Sequence, residues 1–365
     1  MKKITIIGAG FAGLSALSRL RSYNKRGELE ITLINDKQKS SFLPMLPDCL
    51  GRGVSPKYLA LDLASLSNKK NFNFIKDKVT AVDLVKKEIS TSALTLDYDF
   101  LVIASGSETN FYGNDAIKQR AFKLDDAEDA ARIRQALDEK DYDAYLIVGG
   151  GYTGIEVATN LRVYLNRKKI NKRVVIVERA PSILGPLPEW MKDYVLGNLK
   201  RLNIEVLTNS GIEKVGGFSH PMLVWTAGVR SADYIQELKV EKNTQGRIKV
   251  DEYLRVDASC FAAGDAAYFA YKNNFLRMAV QFAIMQGRCA AGNIIRTIHG
   301  KGLVKYRPVD LGLIIPMANN KACGIVLGVK LRGYLPILLH YIMCAYRSYG
   351  FKNRLGILKN LITGR

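Results

Sequence analysis

Short apolar runs that end in glycine clusters recur along this chain and set its plan. Ile4–Ile7 is a β-rich run leading into Gly8-Ala9-Gly10-Phe11-Ala12-Gly13, and a helical pattern follows through Leu20. ITLIND (31–36) predicts the next strand. The same order returns at LIVGGGYTGIEVATNL (146–161), and KRVVIVE (172–178) predicts the strand after that helix. Farther on, VQFAIMQG (280–287) reads as a helix in which Gln281 and Gln286 interrupt an apolar run. Five residues apart, those two glutamines stand about 140° apart around a helix and so lie on different faces.

Strand, glycine turn and helix in this order suit a dinucleotide. Gly8 allows the tight turn, Gly10 lets a pyrophosphate approach the backbone, and Gly13 lets helix and strand pack closely. Gly149, Gly151 and Gly154 take the same three roles in the second copy. Each helix start offers free N–H groups to phosphate. The second strand should end on an acid for the ribose. The first copy has Asn35 there with Asp36 beside it, and either residue suits that contact. The second has Glu178, whose carboxylate accepts from a free 2′-hydroxyl and repels a 2′-phosphate, so NAD is favoured over NADP even with Arg179 adjacent. Two fingerprints, each with its own strand and helix, imply two dinucleotides, and a hydride donor paired with an acceptor is the natural use of such a pair.

At the other end, YLPILLHYIMCAY (334–346) carries no charge except at His340 and is too short to span a bilayer. In the helical pattern that follows, Phe351, Leu355, Leu358 and Leu361 or Ile362 share one face, with Lys352, Arg354 and Lys359 toward the other. No Asp or Glu follows Asp310, whereas Lys321, Lys330, Arg332, Arg347, Lys352, Arg354, Lys359 and Arg365 do. A basic amphipathic segment beside an apolar one suits docking on an anionic membrane surface. The other use of such a stripe is a core-packing helix or a homodimer contact.

Composition narrows the rest. With 48% hydrophobic and 24% charged residues the chain is globular, and its length allows two or three modules. The net charge of +20 admits an anionic partner, but no segment resembles a nucleic-acid module, so nucleic acid is not expected. Cys49, Cys260, Cys289, Cys323 and Cys344 form no CxxC pair, and with three histidines no metal site is expected. Glycines follow the opening MKK at once, so a leader peptide is not expected.

The chain resembles the two-dinucleotide flavoproteins of the pyridine nucleotide-disulfide oxidoreductase superfamily. YDFLVIASGS (98–107) looks like their strand and turn leading from the flavin domain, and CFAAGDAA (260–267) like their second flavin motif. Within them it is most similar to the type II NADH dehydrogenases. SSFLPMLPDCLGRGVSP (40–56), FKLDDAEDAARIRQAL (122–137), GGGYTGIEVA (149–158), VWTAGV (224–229) and GFKNRLGILKNL (350–361) carry that likeness in order along nearly the whole chain.

The resemblance implies an α/β fold with two Rossmann-like dinucleotide-binding domains, for FAD and NAD, plus a C-terminal membrane-docking segment. Residues 1–108 and 236–305 would form the FAD domain, 109–235 the NAD domain and 306–365 the membrane-associating region. FAD would be held by Gly8, Gly10, Phe11, Ala12, Gly13, Asn35, Asp36, Pro44, Ala104, Gly106, Gly264, Asp265 and Ala266, with Asp265 on the ribityl chain. NADH would be held by Gly149, Gly151, Tyr152, Thr153, Gly154, Glu178 and Gly228. Gln281, Ala283 and Met285 would line a quinone site. Glu156 would lie near flavin and nicotinamide to orient them or move a proton. A first-turn acid favoured by the helix dipole is the other reading of Glu156, and a helix N-cap that of Asp265.

The activity implied is non-proton-pumping NADH:quinone oxidoreduction, peripheral at the cytoplasmic face of a prokaryotic membrane. A reductase of a protein such as ferredoxin, or a sensor resembling apoptosis-inducing factor, are the alternatives. Disulfide reductases need a cysteine pair near the flavin, but residues 40–50 offer only Cys49. Sulfide:quinone oxidoreductases need a cysteine shortly after the second fingerprint, and none lies between Cys49 and Cys260. Cys289 reads as a buried small residue and Trp225 as core. Four departures from the pattern stand out: Asn35 for an acid, Val280 for alanine, Met285 for a second glutamine, and a short stretch between Glu205 and Trp225.

Overall fold

The computed structural model describes residues 1–24, 27–272 and 274–363, without the Lys214 side chain. Arg365 lies outside the described residues. The elements used below are, in chain order, β1 (Lys2–Ile7), α1 (Phe11–Tyr23), β2 (Leu29–Asn35), α2 (Asp48–Gly51), β3 (Asn73–Lys76), β4 (Phe100–Ile103), α3 (Ala127–Glu139), β5 (Ala144–Val148), α4 (Tyr152–Arg167), β6 (Arg173–Val177), β7 (Ile204–Leu207), β8 (Met222–Trp225), β9 (Cys260–Ala262), α5 (Val280–Ile298), β10 (Gly312–Met317), β11 (Lys321–Val326), β12 (Val329–Gly333), α6 (Tyr334–Arg347) and α7 (Gly350–Thr363). They pack as two compact units. One comprises Met1–Ser40, Asp62–Glu108 and Val229–Asp310, the other Ser41–Leu61, Thr109–Gly228 and Leu311–Arg365.

The first unit is built on a parallel sheet in the order β9-β4-β1-β2-β3. Its strands are short runs of aliphatic residues because both faces are covered. Side-chain alternation sorts them. Ile4, Ile6, Leu33, Val102 and Phe261 join Leu17, Leu20, Phe282 and Ile294 on one side. Ile7, Ile34, Leu101, Ile103 and Cys260 join Tyr234, Ile235 and Leu238 on the other. The register pairs Ile7 with both Ile34 and Ile103, which brings the loops after β1, β2 and β4 to one end of the sheet. α5 packs on α1 at Gly287, where an added Cβ would stand 2.0 Å from the Ala12 carbonyl oxygen.

The second unit repeats the plan with a parallel sheet β7-β6-β5-β8. One face carries Ile147, Ile176 and Val224 against Ile155, Leu161 and Leu165 of α4. The other carries Leu146, Val175 and Trp225 against Phe111 and Ile117. Trp225 is core, as expected, and its indole N–H donates to the Asn110 and Ala227 carbonyls at 2.9 and 2.8 Å. Between β7 and β8 lies a single 3-10 turn, Ile212–Lys214, in line with the shortness of that stretch.

The C-terminal residues form an antiparallel sheet β10-β11-β12 and then α6 and α7. β10 joins the core beside α4 through Ile315 and Met317, and the Ala318 N–H donates to the Thr159 hydroxyl at 3.2 Å. α7 is anchored on one side. Its Gly356 sits under the Tyr58 ring, Ile357 is fully buried, and Asn353 and Asn360 hydrogen-bond the Ala60 carbonyl and Ser55 N–H. The other side of α7 exposes Phe351, Leu355, Leu358 and Ile362 together with Lys352, Arg354 and Lys359. α6 likewise exposes Tyr334, Leu335, Leu338, Ile342, Met343 and Tyr346. Among the described residues no helix is long and apolar enough to cross a membrane.

Candidate functional site

The first glycine loop is shaped by backbone contacts that no side chain would permit. Gly8 has φ +98°, and a Cβ there would stand 2.4 Å from the Ala104 carbonyl oxygen. At Gly13 a Cβ would stand 1.9 Å from the Gly8 carbonyl oxygen. Gly10 differs, because nothing lies within 4 Å of its Cβ position. That open space could admit a ligand phosphate, and no side chain caps the start of α1.

The loop is braced from β2 and beyond. Asn35 accepts the Ala9 N–H at 2.9 Å and donates to the Lys37 carbonyl at 2.9 Å, while the buried Ser40 hydroxyl donates to the Ala9 carbonyl. Asn35 therefore ties the end of β2 to the loop, and the neighbouring Asp36 is exposed.

The second loop has the same build. Gly149 has φ +110°, a Cβ at Gly154 would stand 1.9 Å from the Gly149 carbonyl oxygen, and Gly151 has nothing within 4 Å. Glu178 closes it by accepting the N–H groups of Gly150 at 2.6 Å and Ala180 at 2.8 Å. Each carboxylate oxygen keeps a lone pair for a ribose hydroxyl. Tyr152 and Thr153 begin α4 on its exposed end. Gly228 has φ +79°, with the Tyr112 hydroxyl where its Cβ would stand. Sequence reasoning missed that the residue ending the second strand clamps the middle N–H of each glycine loop. Its position, two strands into each fingerprint, was the available signal.

A third loop, between β9 and α5, carries Gly264 (φ +71°), Asp265 and Ala266. Asp265 caps no helix: α5 starts at Val280 with Ala279 as its cap residue. Burial raises the Asp265 carboxyl above its usual range, and the Ser107 hydroxyl, donating at 3.1 Å, and the Arg247 cation pull it back. Gly106, at φ +72°, forms the turn beside Ser107. Pro44 is part of the 3-10 turn Leu43–Met45, in the second unit.

On α5 the two glutamines take different directions, as the angle between them predicts. Gln286 is buried and accepts the Gly264 N–H at 2.8 Å, so it holds the third loop. Gln281 donates to Asp310 at 3.0 Å, and Arg277 grips the same carboxylate with two N–H donors. Ala283 is buried next to Gly264, and Met285 packs on the adjoining core. Asp310 and Arg277 escaped the sequence reading. That Asp310 is the last acid in the chain was the only hint.

Glu156 is the fifth residue of α4, so the helix-dipole reading of a first-turn acid does not apply. Burial, and next the Asp48 carboxylate, raise its carboxyl well above the usual range. Asp48 on α2 is itself pushed up to about 6 by burial, while Arg52 and the Tyr341 hydroxyl, donating at 2.8 Å, pull it back. Behind them His340 is pushed down to about 4 by burial and then by Arg52, and its Nε2 lies 3.5 Å from the Cys344 sulfur. This polar group, part buried and part half-buried and all within the second unit, was not visible in the sequence. It joins α2, α4 and α6 across long separations.

All five cysteines are free thiols. Cys49 is buried and its thiol is raised by burial, and Cys289, partly buried, is pushed up to about 11 by the same cause. Both shifts run against thiolate formation. Among the described residues no group of side chains is arranged to hold a metal.

Residues 2–287 match the family described as pyridine nucleotide-disulphide oxidoreductase. The chain is 26% identical over 370 residues to the type II NADH:quinone oxidoreductase of Staphylococcus saprophyticus, covering 91% of each. The enzyme of that name from Staphylococcus aureus matches with the same identity and coverage. Among solved structures, NDH2 from Plasmodium falciparum in complex with NADH aligns with a TM-score of 0.88 at 19% identity, over 99% of this chain and 98% of that one. The sulfide:quinone oxidoreductase of Aquifex aeolicus aligns with a TM-score of 0.77 at 18% identity, over 98% and 92%. These two structural likenesses establish the fold alone.

Proposed function

We propose that this chain, which belongs to the pyridine nucleotide-disulphide oxidoreductase family, is a flavin-dependent NADH:quinone oxidoreductase working at a membrane surface. The observation that carries the reading is the pair of matched glycine cradles, each with an open Gly10 or Gly151 at its centre. One suits the pyrophosphate of FAD, the other that of NADH. Flavin, when bound, supplies the hydride and electron chemistry. The chain supplies the rest. Gly8–Gly13 and Asp265 would hold the flavin's pyrophosphate and ribityl chain. Gly149–Gly154 and Glu178 would hold the nucleotide.

Three features support quinone as the acceptor. The activity named for the curated relatives is one. The thiols are another: a family member that reduces disulfides needs a reactive pair, and these five cysteines offer none. The third is the exposed apolar and basic surface of α6 and α7, which suits an anionic bilayer in which a quinone dissolves. Gln281, held by Asp310, is the residue we assign to the acceptor site. Glu156, whose carboxyl burial raises well above its usual range, is suited to orient the reactants or carry a proton.

The test is steady-state turnover. Detergent-purified protein should oxidise NADH when a short-chain quinone is added and should bind vesicles containing anionic lipid. Reduction of added ferredoxin in place of quinone would overturn the reading.

A further inference from the structure

Arg247 is a charged side chain buried to 3% exposure in the first unit. A tight turn aims it inward: Asn243 accepts the N–H groups of Gln245 and Arg247 at 3.1 and 2.9 Å, and Gly246 takes φ +79°. The guanidinium then reaches behind the third loop. Its Nε donates to the Asp265 carbonyl at 3.0 Å and a terminal nitrogen donates to the Ala267 carbonyl. Among the described residues no carboxylate lies within ion-pair distance of it. A cation buried this way loses its hydration and gains in return two carbonyl dipoles and, beyond ion-pair distance, the Asp265 carboxylate, which is an expensive arrangement for a loop that two other side chains already hold. Gln286 fixes the Gly264 N–H and Ser107 fixes the Asp265 carboxylate. A lysine or an apolar residue would fill the space, but only the planar fork reaches both carbonyls.

We propose that Arg247 is the positioning residue of the flavin loop, holding the Asp265 and Ala267 carbonyls and placing a fixed positive charge behind that loop, which would raise the reduction potential of a bound flavin. The inference rests on the reading that this loop binds flavin. Its sign follows from electrostatics: reduction adds negative charge to a flavin, so a buried cation favours the reduced form.

The test uses full-length protein, Arg247→Met and Arg247→Lys, each checked by circular dichroism. The readouts are flavin affinity and midpoint potential, the latter by dye-coupled reductive titration. Arg247→Met should bind oxidised flavin more weakly and lose about tenfold in the preference for reduced over oxidised flavin, a fall of about 30 mV for a two-electron couple. Arg247→Lys keeps the charge and should bind more weakly at an almost unchanged potential. A folded Arg247→Met protein with wild-type affinity and potential would overturn the inference. Should the methionine variant not fold, the lysine variant decides, and wild-type affinity in it would be equally contradictory. A wild-type protein that takes up no flavin would overturn the flavin reading itself and the inference with it.

Discussion

Gly151→Ala separates fold from ligand at the second cradle. The three glycines of that loop differ in what a methyl group would meet. At Gly154 it would stand 1.9 Å from the Gly149 carbonyl oxygen, and at Gly149, with φ +110°, the backbone itself would be strained. Alanine at either position must displace main chain, so lost binding would say nothing specific about the nucleotide. At Gly151 nothing lies within 4 Å and φ is −77°, a value alanine adopts freely. The free protein should tolerate this methyl group with stability changed by less than about 1 kcal/mol, because the gain from reduced unfolded-chain entropy is set against the loss of glycine at the N-cap of α4.

Bound NADH changes the outcome, because the pyrophosphate needs that space. Overpacking of this kind typically costs about 1–3 kcal/mol, which weakens binding roughly 5- to 150-fold. Isothermal titration with NADH and a denaturant melt on the same sample test both halves. Unchanged NADH affinity in a stable Gly151→Ala protein would refute the placement of the pyrophosphate. Gly10→Ala is the matching experiment for flavin.

Other substitutions probe the rest of the account. Glu156→Gln should slow turnover at unchanged flavin content, and wild-type kinetics would remove Glu156 from the reaction. Burial pushes the Asp48 carboxyl up from its ordinary 3.8 to about 6, so the folded state favours the proton. Its contribution to stability is therefore greatest below pH 3.8 and is lost as pH rises through 6, by up to about 3 kcal/mol. Asp48→Asn should flatten that part of the stability curve, which urea midpoints at pH 4, 5 and 6.5 will show; an unchanged slope would contradict it. Phe351 and Ile362 on α7 are 75% and 84% exposed, so changing both to Asp should alter stability by less than about 0.5 kcal/mol. The same pair should cut vesicle binding at least about 100-fold, since burying each in lipid contributes about 1.5–3 kcal/mol. Vesicle sedimentation at wild-type levels would place the membrane contact elsewhere.

What could be read in the sequence was what local physics dictates. The glycine spacing and the aliphatic runs around it specify strand, turn and helix, because Gly8, Gly13, Gly149 and Gly154 have no tolerated alternatives where backbones nearly touch. The helical stripe of α7 was also legible, since its period is local. Exposure of that stripe was not: periodicity alone suits packing or docking equally, and only the burial of Gly356 and Ile357 on the opposite side separates the two. Polar pairings across long stretches of chain were invisible. Glu178 was read as a ribose contact and Asn35, with Asp36, as one of two candidates for the other, yet Asn35 and Glu178 each serve to hold their own glycine loop. The Asp48–Tyr341 hydrogen bond and the Arg277–Asp310–Gln281 group join residues whose neighbours in sequence say nothing of them. Gln286, to which the sequence assigns no site, anchors Gly264.

The most direct test of the central claim is an anaerobic pair of half-reactions on the purified, flavin-loaded protein. Stoichiometric NADH should bleach the flavin absorbance near 450 nm, and a short-chain quinone added next should restore it within a single turnover. Flavin that NADH reduces but quinone leaves reduced would contradict the account, even if every structural expectation above were met.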